Sequence, residues 1–413
     1  MKKPTTCNFC GKKISDNPDS INDLMFAGMA DNGEPIAICG TCVQNGYKIL
    51  QESLEDFNKD EDDENDQEKL EINPMILKDR LDKWIIGQEK AKKRLAIAVY
   101  DHYKRINQKE NKTDVKIEKS NIILVGSTGC GKTAMMKALA TELNLPLYIE
   151  DVTTITTTGY VGRSVDDILI GLLSKADGDL ELAQKGIILL DEGDKLKREA
   201  NATGTRDVKG EGVQQGLLKI TEGGVFNIKY RNKNIKFDTS NVLFVLAGAF
   251  EGIEKIIAKR KNAKFKTTIG FTGNILKKDD DNNAYNDYIL DVNHEDLKEF
   301  GMMPELLGRF PIITPLQELS IDALAQILTE PKNAIMQQLK KSFAMDNIEL
   351  TYKDESLKAI AKIAKERKIG ARALRSIVEE IVEDAKFECP GSEIKEVVIK
   401  DDLSLEYIKE QEN

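Results

Sequence analysis

The stretch Gly126-Ser127-Thr128-Gly129-Cys130-Gly131-Lys132-Thr133 has the spacing G-x-x-x-x-G-K-[ST]. Its glycines let backbone N–H groups turn inward around phosphates. Lys132 supplies a point charge to the β and γ groups, and the Thr133 hydroxyl is a ligand for Mg²⁺. Ala134 continues the set into the helix that follows. Further on, Ile187-Ile188-Leu189-Leu190 runs into Asp191-Glu192. An apolar strand ending abruptly in two acids delivers Asp191 to a sheet edge, where it can bind Mg²⁺, while Glu192 can polarise an attacking water. Together the two motifs imply a nucleoside triphosphate that is hydrolysed, not only held. A third set is sulfur: Cys7, Cys10, Cys39 and Cys42 form two C-x-x-C pairs separated by 28 residues. Two such knuckles complete a closed tetrahedral Zn²⁺ site with no position left for catalysis. A redox role for one pair is the alternative.

These residues need elements to hold them. The pattern from Pro74 onward alternates helix and strand. Met75 to Ile106 reads as one amphipathic run, Ile122 to Val125 as a buried strand, and Thr133 to Leu143 as a helix entered through the glycine loop. Leu147 to Ile149, Ile187 to Leu190 and Val242 to Leu246 are further strand candidates, rich in β-branched residues. Such alternation predicts an α/β fold, a mostly parallel sheet flanked by helices. After Pro315 the spacing becomes helical, over Ile321 to Leu328, Pro331 to Phe343, Glu355 to Arg367 and Ala371 to Phe387, with a short strand near Glu396 to Ile399. The expected division is a zinc module over 1–50, an acidic flexible linker over 51–71, a large α/β domain over 72–314 and a smaller α-rich domain over 315–413. The linker rests on eleven acids between Glu52 and Glu71, with almost nothing apolar after Phe57. Such a run repels itself and buries nothing. A solvated helix face is the other reading.

Of 413 residues, 60 are Lys or Arg and 70 are Asp or Glu, a net charge of −10. That argues against a surface built to neutralise nucleic-acid phosphates. The longest apolar run, Val242 to Phe250, is far below the ~20 residues that span a bilayer. The N-terminus also lacks the apolar core of a signal peptide. The expectation is a cytoplasmic protein with no membrane or nucleic-acid partner, and in that reducing setting the cysteines favour metal over disulfides.

The two phosphate-site motifs, Ile85-Ile86-Gly87-Gln88 ahead of them, Gly308-Arg309 and Gly370-Ala371-Arg372 together resemble the AAA+ ATPases, and within these the ClpX family of protein unfoldases. The resemblance runs over nearly the whole chain, including the zinc module. It implies an AAA+ large domain, a helical AAA+ small domain, ATP with Mg²⁺, and a homohexameric ring. The ring would unfold protein substrates through a central pore into the ClpP peptidase, and act as a chaperone without it. It further implies that Ile86 contacts adenine, that Arg309 reaches the γ-phosphate of the neighbouring subunit, and that Arg372 touches nucleotide from the small domain. Gly159-Tyr160-Val161-Gly162 resembles the family's pore loop, where Tyr160 and Val161 would grip any polypeptide. A buried Tyr-Val pair in a turn competes with that reading. Thr205-Arg206-Asp207-Val208 resembles the second pore loop, with Arg206 facing substrate. Ile269-Gly270-Phe271, apolar residues in a polar stretch, matches the tripeptide that docks on ClpP. The zinc module would dimerise and dock adaptors or substrates.

One departure concerns substrate choice: Phe226 to Lys236 is basic but lacks the family's Arg-Lys-His triplet. Another is that Ala247-Gly248-Ala249 ends its strand with no polar sensor. His102 and His294 have no ligand-like neighbours and read as structural or exposed. Two other classes are weighed: a nucleic-acid motor, disfavoured by the −10 charge and an aromatic pore loop, and a non-enzymatic adaptor, disfavoured by the intact Lys132, Asp191 and Glu192 set.

Overall fold

The computed structural model describes residues 6–13, 25–29, 35–46, 73–107, 117–155, 163–197, 210–268 and 281–409. The chain divides into two compact units, Met1–Asn73 and Pro74–Asn413. In the first, β1 (Met25–Met29) pairs antiparallel with β2 (Pro35–Cys39), Met25 opposite Cys39. A helical segment over 40–46 follows at once.

The second unit opens with α1 (Pro74–Asp82) and α2 (Glu89–Ile106). The sequence reads as one run here, but Gly87 and Gln88 both take left-handed φ, 66° and 59°, which an α-helix cannot include. The break creates a turn whose backbone and side chains are free to contact other segments. In chain order β3 (Ile122–Val125), α3 (Lys132–Glu142), β4 (Leu147–Asp151), α4 (Val165–Lys175), α5 (Leu180–Gln184), β5 (Ile187–Asp191) and α6 (Glu211–Glu222) follow. Then come β6 (Val225–Tyr230), β7 (Lys233–Asp238), β8 (Leu243–Gly248), α7 (Ile253–Thr268), α8 (Asp281–Ile289), α9 (His294–Phe300), α10 (Pro304–Gly308) and β9 (Ile312–Pro315).

Five of the strands form one parallel sheet in the order β4-β5-β8-β3-β9. β3 and β8 are buried along their whole length, as expected for strands covered on both faces. Their side chains join α4, α6 and α9 in one core that includes Ile123, Leu172, Leu190, Leu217, Phe244 and Leu297. Helix starts are set locally: Ser164 and Asp167 form a capping box for α4, and Asn293 and Asp296 do the same for α9. The basic stretch Phe226 to Lys236 is an antiparallel hairpin, β6 with β7, outside the main sheet.

Beyond β9, α11 (Ile321–Thr329), α12 (Ile335–Met345), β10 (Glu349–Tyr352), α13 (Asp354–Glu366), α14 (Arg372–Glu388), β11 (Ile394–Ile399) and β12 (Leu405–Lys409) build a smaller helical lobe. The helix expected from Pro331 begins at Ile335, after Asn333 turns left-handed at φ 66°. The strand expected near Glu396 is the centre of a three-stranded sheet, parallel to β10 and antiparallel to β12. Leu328, Ile360, Leu374, Val378 and Val397 form the separate core of this lobe. Among the described residues no helix is long and apolar enough to cross a membrane.

Candidate nucleotide and metal sites

The glycine loop lies between buried β3 and the start of α3. Gly129 and Gly131 take φ of 76° and 107°, which turns the loop back over the helix N-terminus. No side chain caps that terminus, so the first-turn N–H groups around Lys132, Thr133 and Ala134 are available to an anion. Lys132 is buried, and its Nζ donates to the carbonyls of Gly126 at 2.6 Å and Ser127 at 3.0 Å. Both acceptors are neutral, so a phosphate would compete for the ammonium with a stronger, charge-assisted bond. Gly126 has no room for a side chain: a Cβ there would meet the Cys130 thiol and Leu316 at 2.9 Å. Cys130 is buried, and burial pushes its thiol pKa up, away from the oxidisable thiolate.

β5 carries Asp191 to the same sheet edge. Its Oδ2 accepts from the Thr133 hydroxyl at 3.1 Å and its Oδ1 from the Glu192 amide at 3.0 Å. β8 stands between β5 and β3, so this contact crosses a strand. The end of β8 is Ala247-Gly248-Ala249, and a Cβ on Gly248 would strike the Asp194 amide at 2.8 Å. Bare residues there leave the Asp191 carboxylate and Thr133 hydroxyl facing each other across it. That hydroxyl and carboxylate are the hard oxygen pair a Mg²⁺ ion takes beside phosphates. Glu192 is exposed and sits at φ 59°, a left-handed conformation that costs a non-glycine residue ~1 kcal/mol or more. Such strain is common where a side chain must be aimed.

Around the loop stand residues to which the sequence reading gave no role of their own. Gln88 donates to the carbonyls of Cys130 at 3.1 Å and Gln317 at 2.7 Å, and accepts from the Gln317 amide at 3.0 Å. It ties the phosphate loop to the connector between the lobes. Half-buried Ile86 precedes it on the same turn. Asp194, buried, accepts from the Ala249 amide at 3.0 Å and fixes the end of β8. In the sequence Gln88 stood within the Ile85-Ile86-Gly87-Gln88 motif without a role of its own, and Asp194 was marked only by its proximity to the acidic pair.

From the small lobe, the Ala371 amide donates to the Gly129 carbonyl at 3.1 Å. Arg372 is the first residue of α14, exposed, with its side chain in no hydrogen bond or ion pair among the described residues. Arg309 ends α10; Asn121 holds its carbonyl at 2.9 Å, and its half-exposed guanidinium pairs with Glu222 at 2.5 Å. Within one chain Arg309 is therefore not beside the phosphate loop's own ligands. Tyr160, Val161, Arg206, Ile269, Gly270 and Phe271 lie outside the described residues. The base of the segment holding Tyr160 is fixed: Ile155 and Arg163 form a β-bridge, and Arg163 pairs with buried Glu150 at 3.0 Å. His102 and His294 are structural, each with Nε2 donating at 3.0 Å to a backbone carbonyl, of Asn241 and Phe310 respectively.

In the N-terminal unit the sulfurs of Cys7, Cys10, Cys39 and Cys42 lie within 4.8 Å of one another. Cys7 and Cys42 are 3.9 Å apart and Cys10 and Cys39 3.6 Å. Tetrahedral ligands ~2.3 Å from Zn²⁺ stand about 3.8 Å apart, so the set fits that ion. The Cys10 backbone N–H is foremost in bringing the Cys7 thiol down to about 6, while thiol neighbours, Cys10 first, push Cys42 up to about 12. Four sulfurs this close cannot all ionise without a cation. Asn8 braces the knuckle by exchanging hydrogen bonds with the Ala37 backbone at 2.8 Å.

The sheet order, the glycine loop and the acidic pair define an AAA+ ATPase. The family model for the AAA domain (Cdc48 subfamily) matches residues 117–313, and that for the C-terminal D2-small domain of ClpB matches 319–389. The ATP-dependent Clp protease ATP-binding subunit ClpX of Porphyromonas gingivalis is 42% identical over 401 residues, 95% of this chain and 93% of the relative. The protein of the same name in Bacteroides thetaiotaomicron is 43% identical over 418 residues, covering 99% and 96%. This chain belongs to the ClpX family.

Proposed function

We propose that the chain is the ATP-hydrolysing, protein-unfolding subunit of a Clp protease, working as a homohexameric ring that feeds the ClpP peptidase and acting as a chaperone without it. The observation that carries this reading is the Thr133 to Asp191 contact beside the Lys132 loop, within a chain that matches ClpX proteins end to end. On this reading the loop amides and Lys132 bind the β and γ phosphates. Thr133 and Asp191 hold Mg²⁺, which when bound neutralises charge developing on the phosphoryl oxygens. Glu192 orients the attacking water, and its exposed position leaves it room to do so.

Arg309 can leave Glu222, since an exposed pair is worth only ~0–1 kcal/mol. It would then reach the γ-phosphate of an adjacent subunit, so hydrolysis depends on the ring. Arg372 contacts nucleotide as the small lobe closes. Ile86 meets the adenine, Tyr160, Val161 and Arg206 grip substrate, and Ile269-Gly270-Phe271 docks on ClpP. Zn²⁺ held by Cys7, Cys10, Cys39 and Cys42 folds the N-terminal module, which recruits substrates or adaptors. The protein would work in the cytoplasm. Gel filtration with and without ATP, beside degradation of a tailed, folded substrate with and without ClpP, tests the proposal. Assembly and ClpP-dependent loss of substrate support it. ATP turnover with no effect on any folded protein would contradict it.

A further inference from the structure

The break between α1 and α2 deprives one backbone group of its helical partner. In an unbroken helix the Ile85 carbonyl would accept from the amide four residues on, at Glu89. Gly87 and Gln88, at φ 66° and 59°, turn the chain away from that geometry. Lys92, seven residues on, supplies a donor instead: its Nζ donates to the Ile85 carbonyl at 3.2 Å. The ammonium is held for this contact by charge. Only 2% of the Lys92 side chain is exposed; Asp82 Oδ1 lies against its Nζ, and Glu89 Oε1 pairs with it at 2.7 Å. Lys78 balances the second anion, 2.7 Å from Asp82 Oδ2 and 2.8 Å from Glu89 Oε2.

The same turn is pinned at its other end. Gln88 donates to the Cys130 carbonyl of the phosphate loop at 3.1 Å and exchanges two hydrogen bonds with the Gln317 backbone. Only Ile86 and Gly87 lie between the two anchors, and Ile86 is half-buried. Where Ile86 stands relative to the phosphate loop is therefore decided by Lys92 on one side and Gln88 on the other. A buried ion pair is a poor device for stability alone, since apolar residues of the same volume often serve as well. An apolar residue cannot donate to the Ile85 carbonyl. We propose that Lys92 is a positioning residue of the nucleotide site, its buried ammonium fixing the Ile85 carbonyl and so holding Ile86 where the base meets it. This rests on the reading of Ile86 as the adenine contact. It adds to that site a residue beyond the Ile85 to Gln88 motif, one that acts through the backbone.

Lys92→Met alone would leave two carboxylates sharing Lys78, and such unbalanced burial can unfold a protein. The test is therefore the pair Lys92→Met with Glu89→Gln in the full-length chain, which removes one charge of each sign and leaves Asp82 with Lys78. Melting temperature without nucleotide is measured for the parent, the pair and Ile86→Ala. Affinity is measured with Mg²⁺ for two probes, a slowly hydrolysed ATP analogue and inorganic tripolyphosphate, which has the phosphates without the base. The pair should melt close to the parent. Its affinity for the analogue should fall roughly tenfold, the order of one misplaced apolar contact, with tripolyphosphate binding kept within about twofold. Ile86→Ala should show the same split, and adding it to the pair should cost little more, because both act on one contact. If the pair binds the analogue as the parent does, the proposal is wrong. Affinities for both probes that fall in the same proportion also overturn it, because Lys92 would then serve the fold as a whole. A parent that binds the analogue no better than tripolyphosphate, or an Ile86→Ala without the split, overturns the reading of Ile86 itself, and this inference with it.

Discussion

The Ala371 amide donates to the Gly129 carbonyl at 3.1 Å, so the small lobe rests directly on the backbone of the phosphate loop. No side chain separates them: a Cβ on Gly129 would lie 2.2 Å from the Ile369 carbonyl, and one on Gly370 would lie 2.9 Å from the Gly129 carbonyl oxygen. Nucleotide at the loop and the position of the small lobe are therefore set by the same few atoms.

Gly129→Ala should disrupt both. Besides the clash, alanine at φ 76° pays ~1 kcal/mol or more of backbone strain. The expected result is at least tenfold weaker binding of an ATP analogue and a lower melting temperature. Binding and melting like the parent's would show that the lobe does not seat on the loop in solution.

Glu192→Gln should separate binding from turnover. The amide cannot take a proton from water, whereas Lys132, Thr133 and Asp191 are untouched. Steady-state hydrolysis should fall by on the order of 10²–10⁴-fold while analogue affinity stays within about threefold. Hydrolysis near the parent's rate would move the water-orienting role elsewhere.

Acid should weaken the ATPase unit through His102. This ring is almost fully buried and held neutral, its pKa pushed down to about 3, chiefly by burial, with Arg105 and Lys119 repelling the cation. The unfolded chain takes up a proton near 6.5 and the folded chain only near 3, so stability falls as pH drops between those values. The slope is at most ~1.4 kcal/mol per pH unit. His102→Gln, which can still donate to Asn241, should flatten the fall of melting temperature between pH 6 and 4. An unchanged profile would assign the acid sensitivity to carboxylates.

Chelation, or Cys39→Ser, should unfold the N-terminal unit alone. Among its described residues that unit has the sulfur cluster, one hairpin and a short helical segment to order it, and modules this small rarely fold without such a staple. Among the described residues the two large cores of the second unit are built from its own side chains. Near-ultraviolet and zinc-release signals should change while basal ATP hydrolysis in excess Mg²⁺ persists. Loss of hydrolysis on chelation would refute this independence.

The sheet strands were legible because β3, β5 and β8 are buried on both faces and so read as unbroken apolar runs. The phosphate loop, the acidic pair and the cysteines were legible because their chemistry demands fixed spacing. What escaped was set by long-range contacts. The Met75 to Ile106 run kept helical periodicity through a turn that only two left-handed residues break. The β6–β7 hairpin is polar, with only Ile228 and Phe237 fully buried, and reads as a loop. Gln88 acts by meeting residues 42 and 229 positions away, and no local pattern records that.

The central claim is that ATP hydrolysis at the Lys132, Asp191 and Glu192 site unfolds proteins for ClpP. It is tested most directly by following the fluorescence of a stable reporter fused to unstructured tails of varied sequence, mixed with this protein and ClpP, alongside phosphate release. The account predicts fluorescence loss that requires both ATP and ClpP-dependent capture, that stops in Glu192→Gln, and that tracks hydrolysis. Steady phosphate release with every tailed reporter left fluorescent would contradict it.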